Sequence, residues 1–164
     1  MLPKDIKSLD NANKNKKIHQ RFLKNLKAKK NKKIDEVFAK EHSKEFEQMD
    51  CLTCANCCKT TSPIFRDADI RRISKALKIK EIQFIEQFLY LDNEQDYVLQ
   101  TSPCPFLEED NKCSIYSIRP LACKEYPHTN RKNIYQIADI TFKNTFICPA
   151  VSRIVSRINQ SEKQ

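Results

Sequence analysis

The 164-residue chain contains no glycine. Glycine is the usual residue where a tight turn needs positive φ. Any such turn here must fall to another side chain, asparagine first, because it tolerates the left-handed region better than most. Asn56 and Asn111 are the candidates. The same absence argues against a glycine-rich phosphate-binding loop. No run of 18 or more apolar residues occurs, which argues against a membrane-spanning helix. The opening stretch, MLPKDIKSLDNANKNKK, lacks the apolar centre of a secretory leader, so the expectation is a cytoplasmic protein. Acidic side chains are missing from residues 11–34, which carry ten basic ones.

Cysteine, by contrast, is abundant. Of the eight, four fall within one short run, Cys51-Leu-Thr-Cys54-Ala-Asn-Cys57-Cys58. Cys104, Cys113, Cys123 and Cys148 are spread over the C-terminal half. In a reducing compartment such a set reads as metal binding or redox chemistry before it reads as disulfides. A Cys-x-x-Cys step lets two thiolates converge on one ion, and structural zinc sites combine such pairs in a tetrahedron. The triple Cys51, Cys54, Cys57 equally matches the run that, with one remote cysteine, holds a 4Fe-4S cluster. Spacing leaves zinc and iron–sulfur both open, because each accepts four thiolates.

Adjacent side chains on an extended backbone point in opposite directions. On that ground Cys57 is expected to complete the local triple, while Cys58 faces a second site or the interior. Eight thiols then divide into two sets of four. The remote cysteines lie in stiff surroundings, Pro103-Cys104-Pro105-Phe106 and Arg119-Pro120-Leu121-Ala122-Cys123. Proline limits the chain entropy lost when a site closes. Arg119 and Lys124 are candidates to offset thiolate charge. His128 is a candidate ligand or outer donor, whereas His19 and His42 lie outside the cysteine-bearing region. Tyr116 and Tyr126 close the site or pack the core.

Periodicity predicts helices. Ile18, Phe22 and Leu26 recur every four residues, as do Ile34 and Phe38, with Phe46 and Met49 further on. Asn13, Asn15, Asn25 and Asn31 weaken helical propensity there, and the first dozen residues are expected to fray. Residues 67–77 read as a helix capped by Asp67, with Ile70, Ile73 and Leu77 on one face. A helix near 80–91 groups Ile82, Ile85, Phe88 and Leu89. Tyr97–Leu99 is a short strand candidate. Residues 101–130 read as knuckle loops with one helical turn. Pro149 suits the first position of a last helix, whose inner face is Val151, Ile154, Val155 and Ile158.

The order CxxCxxCC, CPFL, C-x-IY-x-x-RP-x-x-C-x-x-YP and a final CP resembles the YkgJ-type cysteine-cluster family. It falls here on Cys51–Cys58, Cys104–Leu107, Cys113–Pro127 and Cys148–Pro149, roughly residues 50–150. The resemblance implies chelation of zinc or an iron–sulfur cluster through these cysteines. A related region in flagellin lysine methylases raises an enzymatic alternative, although no methyl-donor site and no nucleophile–base pair stand out. Lys78 and Asn111–Lys112 stand where related sequences often carry glycine.

The expected architecture is mainly α: a small, irregular, loop-rich metal-binding domain over 50–160, preceded by a partly flexible basic helical extension over 1–49. The expected function is metal binding through Cys51, Cys54, Cys57, Cys58, Cys104, Cys113, Cys123 and Cys148. Residues 11–34 are a candidate surface for nucleic acid or the ribosome, since clustered cations contact phosphates. A solvated lysine-rich helix explains the same run.

Overall fold

The computed structural model describes residues 1–30 and 32–162. Asn31, named above for its helical propensity, lies outside them. The fold is mainly helical. In chain order the helices are α1 (Pro3–Lys14), α2 (Lys16–Lys29), α3 (Ile34–Phe46), α4 (Cys51–Cys54), α5 (Asn56–Thr60), α6 (Asp67–Leu77) and α7 (Glu81–Phe88). Strands β1 (Leu89–Leu91) and β2 (Tyr97–Leu99) follow, then helices α8 (Leu121–Glu125), α9 (Ala138–Asn144) and α10 (Pro149–Ser161). The chain forms two compact units, one of residues 1–54 with 127–164, the other of residues 55–126. The N-terminal helices share a unit with α9 and α10.

In the first unit the opening residues are helical rather than frayed. Pro3 starts α1 at the position where a missing N–H costs nothing. Burial explains the order. Asp5 and Glu45 are both buried, and Arg153 of α10 donates to Glu45 Oε1 at 2.5 Å and Asp5 Oδ1 at 3.0 Å. Arg157 donates to Glu45 Oε2 at 2.8 Å and pairs with Glu41. Two guanidinium forks thus tie α1 and α3 to α10, which suits arginine's fixed donor geometry. The inner face of α10 is the expected one, Val151, Ile154, Val155 and Ile158, all buried. On α2 the buried stripe is His19, Leu23 and Leu26, while Ile18 and Phe22 are only half-buried. Ile34 and Phe38 are buried on α3, with Phe46 and Met49 half-buried.

The second unit is built on an aromatic and aliphatic core of Phe65, Ile70, Ile73, Phe84, Leu89, Leu99, Phe106 and Ile115. Cys104 and Cys113 pack against it. Phe84 is fully buried on α7, whereas Ile82 is 57 % exposed. The apolar face of α7 thus keeps the expected Ile85 and Phe88, with Leu89 beyond them, but takes in Phe84, against Phe65, Phe88 and Phe106, in place of Ile82. Leu89 leaves the helix to pair with Leu99 in an antiparallel two-stranded sheet. Helix α6 is capped by Asp69, not Asp67: the Asp69 carboxylate accepts the Arg66 N–H at 3.2 Å. Ile70 and Ile73 are buried as expected, and Leu77 is exposed.

Positive φ falls on Lys30, Ala55, Lys78, Gln95, Asn111, His128 and Asn133. Asn111 is the expected residue. Asn56 is not, since Ala55 takes the left-handed position just before α5.

Candidate metal centre

Helix α5 places Cys57 and Cys58 on one short helical turn, not on an extended strand. Neighbouring helical side chains diverge by about 100° rather than 180°. The Cys57 thiol accordingly reaches Cys58 and hydrogen-bonds to it. The carbonyl of Cys58 accepts the Cys104 N–H at 2.8 Å, and Ser102 Oγ donates to the Lys59 carbonyl at 3.0 Å. These two bonds lay the segment carrying Cys104 along the end of α5.

From Cys104 the chain turns back on itself to reach Cys113. Leu107 pairs with Cys113 in an antiparallel bridge, and Glu108 N–H donates to the Lys112 carbonyl at 2.8 Å. Asn111 supplies the left-handed residue, and the Asp110 carboxylate accepts the Lys112 N–H at 2.9 Å. The N–H groups of Phe106 and Leu107 point back at the Cys104 sulfur, and that of Ile115 at the Cys113 sulfur. Hydrogen bonds of this kind stabilise a thiolate and tune a metal bound to it. Sequence reasoning missed these donors because they are backbone groups.

Cys123 lies on α8, in the same unit. Its thiol is pushed up to about 12, first by burial and then by the negative charge of Cys58, Cys104 and Cys113. Cys104 is pushed up to about 11 by burial, with Cys58 and Cys113 adding to it. Cys113 is raised by burial and by Cys58, against which its Ile115 N–H and Arg119 act. Cys58 goes the other way, to about 7, chiefly through the Cys57 hydrogen bond, which outweighs burial. The charge of Cys58 therefore bears on Cys104, Cys113 and Cys123, and Cys58 is in turn held by Cys57. Arg119 also favours the charged form of Cys123. It sits over the Tyr116 ring at 3.9 Å and donates to the Tyr116 carbonyl at 2.7 Å. Lys124 is exposed and Tyr126 half-buried.

The first unit holds Cys51 and Cys54 on α4, and Cys148. Cys148 is buried at the N-cap of α10. Burial pushes it up to about 12, opposed by the Val151 and Ala150 N–H groups and increased by the charges of Cys51 and Cys54. His128 is half-buried at φ 64° in this unit. His19 and His42 are used elsewhere: His19 Nε2 meets Ser156 Oγ at 3.1 Å, and His42 Nδ1 meets Thr129 Oγ1 at 2.7 Å.

Among the described residues no three Cys, His, Asp or Glu side chains already stand in a closed arrangement for an ion.

Residues 50–144 match one family over more than half of the chain. The chain belongs to the CxxCxxCC family. That family is described as a "putative zinc- or iron-chelating domain". The CxxCxxCC match takes in seven of the eight cysteines and stops four residues short of Cys148. Neither the curated proteins nor the solved structures contain a match. A sulfur-rich donor set with amide donors aimed at the sulfurs fits both metals in the CxxCxxCC description.

Proposed function

We propose that the second unit is a structural metal centre in which Cys58, Cys104, Cys113 and Cys123 bind one zinc ion. The observation that carries this reading is backbone geometry within one compact unit: the Cys104 N–H donates to the Cys58 carbonyl, and the Leu107–Cys113 bridge returns Cys113 to the Cys104 turn. Three loops or short helices deliver them, and a closed four-thiolate set is the usual form of a structural zinc site. A cubane cluster would draw on the whole Cys-x-x-Cys-x-x-Cys run, whereas the charges of Cys51 and Cys54 bear on Cys148. Zinc supplies a fixed tetrahedral centre and no redox chemistry. The chain's own contribution is to hold the sulfurs, direct amides at them, and place Arg119 against their excess negative charge.

Metal analysis and a visible spectrum of anaerobically purified full-length protein test the reading. The expected result is at least one zinc per chain and no absorption band near ~400 nm. Brown protein whose iron is lost in Cys104→Ser would replace zinc with an iron–sulfur centre.

A second reading concerns the basic segment. All ten Lys and Arg residues between 11 and 34 are exposed, because α2 buries His19, Leu23 and Leu26 instead. Such a face suits the phosphates of a nucleic acid, with affinity that falls as salt rises. Fluorescence anisotropy with a labelled RNA, comparing the native chain with Lys17→Glu/Lys24→Glu, checks it. Equal binding by both proteins counts against it.

A further inference from the structure

Asp69 and Arg72 are one turn apart on α6 and neither is a thiol. Asp69 is 2 % exposed. Its Oδ2 accepts the Arg66 N–H, which is all that capping α6 requires. Its Oδ1 accepts two further bonds, from Arg72 Nη2 at 2.6 Å and from the Leu121 N–H at 3.1 Å. Arg72 Nη2 also donates to the Arg119 carbonyl at 3.0 Å and the Ile118 carbonyl at 3.3 Å. Carboxylate and guanidinium together therefore grip the backbone at 118, 119 and 121.

That short stretch leads directly into the last thiol of the proposed centre. Leu121 begins α8, and Cys123 follows two residues later. Helix α8 has five residues, and no capping side chain at its N-terminus comes from Pro120. Its first N–H is satisfied from α6. A buried carboxylate is costly unless its lone pairs are used, and here one acid serves two helices and an arginine.

We propose that Asp69 and Arg72 are positioning residues for the metal centre, holding residues 118–121 so that Cys123 is presented beside Cys58, Cys104 and Cys113. This rests on reading those four cysteines as one centre. Groups that orient ligands without touching the metal commonly change affinity by about 10–100-fold when removed. Arg72 acts as a fork across two carbonyls and a carboxylate, which a lysine cannot reproduce.

The test uses the full-length chain loaded with cobalt(II) in place of zinc. In Asp69→Asn and Arg72→Lys, cobalt affinity is expected to fall about 10–100-fold. At saturating cobalt the thiolate-to-cobalt absorption should fall by about one quarter, one sulfur in four. A merely structural role would lower the unfolding midpoint and leave the saturated spectrum unchanged, and that result overturns the proposal. Should Asp69→Asn not fold, Arg72→Lys decides alone by the same spectrum. Cys104→Ser separates the two readings. If it keeps the full native cobalt spectrum, the assignment of the centre is wrong; if it loses it while both positioning variants match the native chain, only the positioning role fails.

Discussion

The Cys104 N–H donates to the Cys58 carbonyl at 2.8 Å, joining two residues far apart in sequence. Cys58 is thereby tied to the remote cysteines of its own unit, while Cys51 and Cys54 share the surroundings of Cys148. Substitution should divide along the same line. Cys58→Ser is expected to remove one metal equivalent and lower the melting temperature of the purified protein. Cys51→Ser is expected to leave that equivalent in place. Metal analysis of the two variants side by side checks this, and identical losses would show the grouping to be wrong.

Metal uptake should release protons. At pH 8 Cys58, at about 7, is largely ionised, whereas Cys104 at about 11 and Cys123 at about 12 keep their protons, as does Cys113, raised by burial. Binding as thiolates displaces about three protons per ion. Affinity near pH 8 should then rise steeply with pH, approaching a thousandfold per unit. Titration calorimetry in buffers of different ionisation enthalpy counts the protons.

The first unit should weaken in acid. Burial lowers the pKa values of His19 and His42 below 6.5, so both take up protons less readily when folded than when unfolded. The unfolded chain binds more protons below about pH 6.5, and stability falls as pH drops through that range. Urea unfolding at pH 7.5 and pH 5.5, followed by circular dichroism, measures the loss. His19→Gln should reduce it, because one of the two groups no longer titrates.

Two residues of α7 separate packing from pattern. Phe84→Ala is expected to cost about 3–5 kcal/mol, since Phe84 is fully buried among three other phenylalanines. Ile82→Ala, at an exposed position, should change stability by less than about 0.5 kcal/mol. Denaturant midpoints of the two variants give the comparison. Equal losses would mean that α7 is turned the other way.

Much of this protein was legible in order along the chain. Helix α10 could be read whole, from Pro149 at its start to its apolar stripe, because helical period and proline geometry are local. The cysteine spacing placed the chain among metal-chelating domains for a similar reason: ligand type is a property of the side chain. Asn111 was legible as a left-handed residue because few side chains tolerate that region, but Ala55 was not, since nothing in alanine's chemistry asks for φ 48°.

The grouping of the thiols was decided elsewhere. Which helix face is buried depends on partners far away, so Phe84 displaced Ile82 when Phe65 and Phe106 packed from other segments. Buried charge follows the same logic: Asp5, Glu45 and Arg153 make sense only together, and α1 is ordered with them. By itself the sequence determined that eight cysteine sulfurs are present and that glycine is not. Only the tertiary structure brought Cys58 to Cys104, because the hydrogen bond that does so joins backbone groups that every residue but proline carries.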